Sequence, residues 1–406
     1  MDAKVAERPT QQTLDKLRAE TRDWLKKNVP PNWREEMLGA SHQQFVDFQQ
    51  SWFKKLTAAG LALPHWPKEW GGHGSSLEEQ VVIYEELARA RAPRLVLHFL
   101  SVFHAGVTLM EWGTEKQKQQ YLPQIRNGQV WCQGFSEPNA GSDLAALRTR
   151  AERKGDKYII NGQKIWSTMG HFAEYCLLLA RTDTTVPKHQ GITYFILDLK
   201  SKGVDRRPIK QITTDEEFCE CFFDNVEIPA ENIIGEENKG WTVAQTTLSA
   251  ERGLVVLELM ERMRISLDLL VMDAIKPDAD GQVRYDDDEI RREIADVYSQ
   301  IETVRAMSSN FMNMQIAGKD LSGHASITKQ YFALVQKRFT DLGLRMEKLR
   351  GQMFSPLLMG GGYETGNWMV DYFNMYQFNI AGGSNEIQRN IISERVLEMP
   401  REPRLP

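Results

Sequence analysis

Cysteine is scarce in this chain. Only Cys132, Cys176, Cys219 and Cys221 occur in 406 residues, and no two of them form a CxxC pair. The eight histidines are scattered as well. A zinc site or a disulfide framework is therefore not expected, and no metal ligands are assigned. Long apolar runs are also missing. None approaches the roughly 20 residues of a membrane span, so no membrane partner is expected. The N-terminus is polar and charged, without the look of a secretory signal, which points to a reducing cytoplasm. Neither sign of charge dominates: 50 Lys and Arg face 55 Asp and Glu, for a net charge of −5. That balance gives no reason to expect nucleic acid or an anionic membrane as partner. What remains is ordinary globular composition, 41% hydrophobic and 26% charged, in a chain longer than one average domain.

The hydrophobic period changes twice along the chain, marking three regions, 1–128, 129–240 and 241–406. The first reads as helical. Leu14–Lys27, Gln43–Ala59 and Leu77–Arg91 place apolar residues at i, i+3, i+4 spacing. Gly71-Gly72-His73-Gly74 interrupts the pattern as a turn, and Ser75 or Ser76 is placed to cap the next helix. The second region holds short β-favouring runs: Lys157–Ile160, Lys164–Thr168, Tyr175–Arg181, Thr193–Leu197 and Phe218–Phe223. Asn161-Gly162 between the first two reads as a hairpin turn, since type I′ geometry needs positive φ at both positions. No helical segments separate these strands, which argues against a Rossmann array. The third region is helical again, over Trp241–Met272, Glu289–Ile316, Ser326–Arg350 and Glu386–Leu397, with a Pro, Gly and Asp-rich break at Lys276–Asp288.

This order of helices, β domain and helices accompanies several motifs. Trp131–Thr149 reads WCQGFSEPNAGSDLAALRT, Trp66–Gly74 reads WPKEWGGHG, and Asn161–Thr168 reads NGQKIWST. Phe223–Gly240 and Ile380–Arg389 (IAGGSNEIQR) follow in order. Together they resemble the acyl-CoA dehydrogenase family over nearly the whole chain. The resemblance implies an α+β architecture: an N-terminal helical bundle, a small middle β-barrel or sandwich, and a C-terminal four-helix bundle. It also implies FAD as cofactor, an acyl-CoA thioester as substrate, and an electron-transfer flavoprotein as acceptor.

The family reaction removes an α-proton and delivers a β-hydride to flavin N5. The resemblance places Phe135, Ser136, Trp166, Ser167 and Thr168 at the flavin, with the indole over one face and Thr168 near N5. Aromatic residues and threonine are also common in plain strands. Gly141 and Ser142 resemble the loop beside the cofactor and CoA pyrophosphates, Ser142 being the thioester-ligand contact. The same N-A-G-S-D run would make a turn in any protein.

The base is displaced from its commonest place in the family. The loop before the last helix has Gly382 there, which can contribute only its backbone. Ser249-Ala250-Glu251-Arg252 resembles the subset that carries the glutamate on a helix before an arginine. Glu251 is thus expected to be the catalytic base, with Arg252 and Gly382 toward the substrate. Leu248, Glu251 and Val255 lie within about 60° of each other on a helix, so the acid falls on an apolar stripe. Such a setting raises a carboxyl pKa, as a base working near neutral pH requires. An ion pair of Glu251 with Arg252 or a neighbouring subunit is the structural alternative.

Two departures concern assembly. Lys276–Asp288 replaces the family's Arg-x-x-Phe-Gly segment, with Arg284 and Tyr285 as substitutes, and Met359–Gly362 (MGGG) matches poorly the segment that touches a neighbour's FAD. The resemblance implies a homo-oligomer, dimer or tetramer, while the C-terminal segment resembles bacterial members acting on bulky acyl groups, some of them heterotetramers. Two other functions stay open: a non-catalytic partner subunit of a heteromeric dehydrogenase, and a flavin oxidase of the same fold.

Overall fold

A computed structural model describes residues 8–249, 254–278, 280–319, 323–353 and 367–401. In chain order the first helices are α1 (Gln11–Asn28), α2 (Trp33–Met37), α3 (His42–Ala58), α4 (Leu77–Arg89), α5 (Gly106–Trp112) and α6 (Glu115–Arg126). Seven strands follow: β1 (Trp131–Gly134), β2 (Arg150–Lys154), β3 (Lys157–Thr168), β4 (Tyr175–Arg181), β5 (Ile192–Asp198), β6 (Val204–Ile209) and β7 (Phe218–Pro229). The chain then returns to helices: α7 (Gly240–Ser249), α8 (Leu254–Ala274), α9 (Asp288–Ile316), α10 (His324–Met346), α11 (Trp368–Ile380) and α12 (Asn385–Ile391). The expected sequence of helical, β and helical parts is present. No helix among the described residues is long and apolar enough to cross a membrane.

Helix starts follow local chemistry. Ser76 accepts from the Glu79 amide while the Glu79 carboxylate accepts from the Ser76 amide, so two donors at the helix start are satisfied reciprocally. Ser41 with Gln44 and Thr114 with Gln117 repeat the device at α3 and α6. The expected single helix over Trp241–Met272 corresponds to α7 and α8, with residues 250–253 between them outside the described residues.

Two compact units divide the chain, and the helices before β1 are shared between them. One unit gathers α1, α2, α4 and α8 to α12. Its core is the apolar seam of α8, α9 and α10, including Met260, Met263, Leu267, Val297, Ile301, Val304, Phe332, Phe339 and Leu342. Between α1 and α4, the buried Glu86 carboxylate accepts from Arg18 and Arg22, which hold it below the usual carboxylate range against the upward push of burial. Arg284 is drawn inside this unit, donating to the Met346 carbonyl (2.8 Å) and to Asp273 (2.6 Å).

The other unit gathers α3, α5, α6, the sheet and α7. Strand β4 pairs in parallel with β1 and antiparallel with β5, and touches β2 at Arg150↔Arg181. From β2 the sheet continues antiparallel through β3, β7 and β6. Strands β4 and β5 are buried on both faces, as their near-continuous apolar runs require.

The hairpin expected at Asn161-Gly162 is absent. Strand β3 runs straight through both residues, and the hairpin turn lies upstream at Gly155-Asp156, where Gly155 takes φ +66°. Gly162 answers a different need. A Cβ there would lie 2.7 Å from the Thr149 Cα, so the glycine admits a neighbouring backbone. The irregularity falls on β7, whose Asn225 adopts φ +50° opposite Asn161.

The fully buried His98 and the partly buried His65 are expected to make this unit acid-sensitive. His65 stacks on Phe103 and His98 on Phe53, with centroids 4.8 and 4.2 Å apart. Burial pushes their pKa values down to about 4 and about 3. The unfolded chain binds their protons below about pH 6.5 while the folded chain refuses them. Their contribution is therefore whole above about pH 6.5 and is lost as pH falls toward about 4. At pH 5 each histidine should cost about 2 kcal/mol. Melting curves at pH 7.5 and 5 should show the loss, and His98→Phe should remove part of it. A melting temperature flat over that interval would contradict the assignment.

Candidate active site

Strand β3 is irregular where its motif lies. Lys164 pairs with Cys221 and Ser167 with Cys219, so Ile165 and Trp166 together oppose Glu220. This is a β-bulge, a feature that re-aims side chains. Trp166 takes φ +64°, a left-handed conformation rare for a bulky residue. Its indole is 55% exposed and meets Phe218 edge to face at 6.0 Å. Thr168 stands half-exposed two residues on, while Ser167 between them is fully buried. The bulge is tied to the preceding loop, since the Ile165 amide donates to the Ser136 carbonyl at 2.9 Å. Ser136, Trp166 and Thr168 are thereby brought together.

Not every expected residue offers its side chain. Phe135 is buried edge to face against Tyr194 at 5.7 Å. With Ser167, it leaves only backbone for a ligand. The loop after Ser136 closes on a turn through Pro138-Asn139, with Glu137 and Ala140 exchanging backbone hydrogen bonds. Gly141 and Ser142 follow, exposed. A Cβ at Gly141 would meet nothing of the chain within 4 Å, so the fold itself does not demand glycine there.

Three charged residues hold this loop. Lys164, fully buried, donates to the Phe135 carbonyl (3.0 Å) and to Glu137 (2.8 Å). Glu137 also accepts from the amides of Arg148 (2.6 Å) and Thr149 (2.8 Å). Burial pushes the Glu137 carboxyl up, but Lys164 and these donors bring it below its usual range. Burial lowers the Lys164 ammonium, with Glu137 opposing. Arg181 donates to the carbonyls of Ala145 (2.5 Å), Leu147 (3.3 Å) and Lys188 (2.5 Å). Lys164 and Glu137 were legible in principle, standing inside NGQKIWST and FSEPNAGSD. Their residue types were visible there, but their pairing across 27 positions was not.

Helix α7 leads directly to the expected base. Its Thr247 hydroxyl lies 2.7 Å from that of Thr108 and 3.0 Å from that of Tyr194, a fully buried cluster that anchors the helix. Glu251 and Arg252 themselves lie outside the described residues, as do residues 359–362. In the other unit, Gly382 takes φ +65°, and its carbonyl accepts from Gln388 at 2.8 Å. Lys329 donates to the next carbonyl, that of Gly383, at 2.7 Å.

Family models described as the N-terminal, middle and C-terminal domains of acyl-CoA dehydrogenase match residues 11–129, 132–226 and 238–397. The chain belongs to the acyl-CoA dehydrogenase family. It is an oxidoreductase acting on CH–CH bonds, in a family that depends on flavin. Among curated relatives, acyl-CoA dehydrogenase IpdE1 of Mycolicibacterium smegmatis is 36% identical over 403 residues, covering 96% of this chain and 98% of the relative. A solved structure described as the Tcur3481-Tcur3483 steroid ACAD superposes with a TM-score of 0.83 at 29% identity, over 97% of this chain and 99% of that one. The ChsE4-ChsE5 complex from Mycobacterium tuberculosis gives 0.79 at 27% identity, over 97% and 99%. The residues present fit a flavin. A planar ring needs a flat apolar wall and a hydroxyl at its edge, and the exposed indole of Trp166 beside Thr168 supplies both.

Proposed function

We propose that this chain dehydrogenates a bulky, ring-bearing or branched acyl-CoA to the trans-2-enoyl-CoA, with FAD as its flavin and an electron-transfer flavoprotein as acceptor. The observation that carries the reading is the bulged Trp166-Ser167-Thr168 segment beside Ser136, in a chain of this family. FAD, when bound, supplies the hydride acceptor at N5. Trp166 offers a face to the ring, Ser136 and Thr168 offer hydroxyls to its edge, and Gly141 and Ser142 leave an open loop for the pyrophosphates and the thioester ligand. Glu251 takes the α-proton. Arg252 serves the substrate, and the Gly382 amide donates to the thioester oxygen, where charge develops as the proton leaves.

The substrate class draws support from the steroid dehydrogenase among the structural neighbours and from the missing carboxylate at Gly382, which leaves room beside Cα. The decisive experiment is anaerobic bleaching of the flavin by a panel of straight, branched and cyclic acyl-CoA thioesters. Bleaching by ring-bearing thioesters is expected; straight-chain preference would overturn the substrate class, and a colourless protein the whole reading. Rapid reoxidation by oxygen instead of the flavoprotein acceptor would mark an oxidase.

A second reading concerns assembly. Two neighbours are described as pairs of different proteins, which supports a heteromeric complex for this chain beside the homodimer or homotetramer. Light scattering of the purified chain separates these. A stable FAD-loaded monomer would exclude the homo-oligomer.

A further inference from the structure

We infer that Arg206 on β6 is a positioning residue that holds the Trp166–Met169 backbone in the conformation that presents Trp166 and Thr168. The inference rests on the flavin reading of those two residues.

Two consecutive arginines on β6 face opposite ways. Arg207 is exposed, pairs with Asp205 at 2.7 Å and lies over Phe222 at 4.5 Å. Arg206 turns inward and is half-buried. Its Nη1 lies 3.0, 3.4 and 2.8 Å from the carbonyl oxygens of Gly170, His171 and Ala173. Those carbonyls belong to the turn that follows Thr168 directly.

That turn has a reason to need holding. Trp166 and Met169 both carry positive φ, +64° and +54°, on either side of Ser167 and Thr168. Left-handed backbone is unfavourable for residues with a Cβ, and it persists only where surrounding bonds over-determine it. On the near side the Ile165 amide is held by the Ser136 carbonyl at 2.9 Å. On the far side the Met169 amide donates to the Glu217 carbonyl at 2.7 Å, and Arg206 gathers the carbonyls of Gly170, His171 and Ala173 around one charged donor. Charge-assisted bonds of this kind are stronger than neutral ones, and a guanidinium serves several acceptors from a fixed plane. His171, inside the turn, is kept neutral chiefly by burial and secondarily by His42 and Arg206, with its pKa down at about 4, so the turn carries no second cation to compete for the carbonyls.

The test compares wild type with Arg206→Met, which keeps the apolar stem and removes the donors, and Arg206→Lys, which keeps the charge without the fork. Three readouts are taken: amide hydrogen exchange, the flavin visible spectrum, and the FAD dissociation constant of the apoprotein. In Arg206→Met the amides of Met169, Gly170, Phe172 and Ala173 should exchange at least ~10-fold faster, while those of β4 do not change. FAD should bind at least ~10-fold more weakly and its visible bands should shift, with Arg206→Lys intermediate. Unchanged exchange would overturn the clamp. Faster exchange with wild-type FAD affinity and spectrum would overturn its role toward the flavin. If Arg206→Met does not fold, Arg206→Lys carries the same readouts and the same criteria. A wild-type protein that neither carries nor binds flavin would sink the underlying reading, and the exchange data alone would then decide whether Arg206 clamps the turn.

Discussion

Glu251→Gln should leave FAD bound and slow its anaerobic reduction by acyl-CoA more than about 10³-fold, since loss of a general base costs about 10²–10⁴. Glutamine keeps the shape and hydrogen-bonding reach of the side chain and removes its basicity. The α-proton of a thioester is far too weakly acidic to leave without an acceptor, so chemistry should fail where binding does not. Stopped-flow reduction with a bleaching thioester measures the step directly. Reduction near the wild-type rate would make Glu251 a structural residue. Introducing Gly382→Glu in the Glu251→Gln background should then return part of the rate, because the family resemblance gives both positions access to the same proton. The return should be partial. Gly382 sits at φ +65°, where a side chain is strained, and Gln388 already holds its carbonyl.

Lys164→Met should destabilise the protein by roughly 3–5 kcal/mol, the usual cost of removing one partner of a buried ion pair. The fully buried ammonium contacts Glu137 at 2.8 Å and the Phe135 carbonyl at 3.0 Å. Its loss leaves a carboxylate with two amide donors and without its paired ammonium, with Arg181 acting on it only through space. Protonation of Glu137 is the escape, so the defect should shrink in acid. The sign follows from the lowered Glu137 pKa: in the wild type its contribution is present above the unfolded value and lost as pH falls through the folded one. Denaturant titration at pH 7 and near pH 4 measures both effects. Lys164→Met with Glu137→Gln should recover stability relative to Lys164→Met alone, since the uncompensated charge is gone. A single-variant loss below about 1 kcal/mol would mean that the pair behaves like an exposed one. Flavin binding should weaken in parallel, because the same pair fixes both ends of the loop that bears Gly141 and Ser142.

Local chemistry carried much of the chain's organisation. Apolar spacing placed α1, α3, α4, α9 and α10 within a few residues of their ends, and Ser76 capped α4 as its neighbours required. Four helices of the described chain, α2, α5, α6 and α11, escaped that reading. The aromatic-rich Trp368–Ile380 is apolar around much of its circumference and so shows no clean stripe. The order of helices, strands and helices, with the motifs around Ser136, Ser142, Trp166 and Thr168, was likewise present in the sequence.

Long-range pairing decided the rest. Asn161-Gly162 has the composition of a turn, but whether a chain reverses there depends on which strand lies beside it, and Thr149 and Asn225 settled that. The bulge at Ile165-Trp166 exists only because β7 pairs in shifted register on either side of it. Lys164 beside Glu137, and Arg206 beneath the turn after Thr168, join residues 27 or more positions apart. Periodicity along one segment holds no information about such contacts. The sequence alone determined the kinds of elements and the residue types of the site; only the tertiary structure decided which backbone carries them in a strained conformation and which buried charges hold it there.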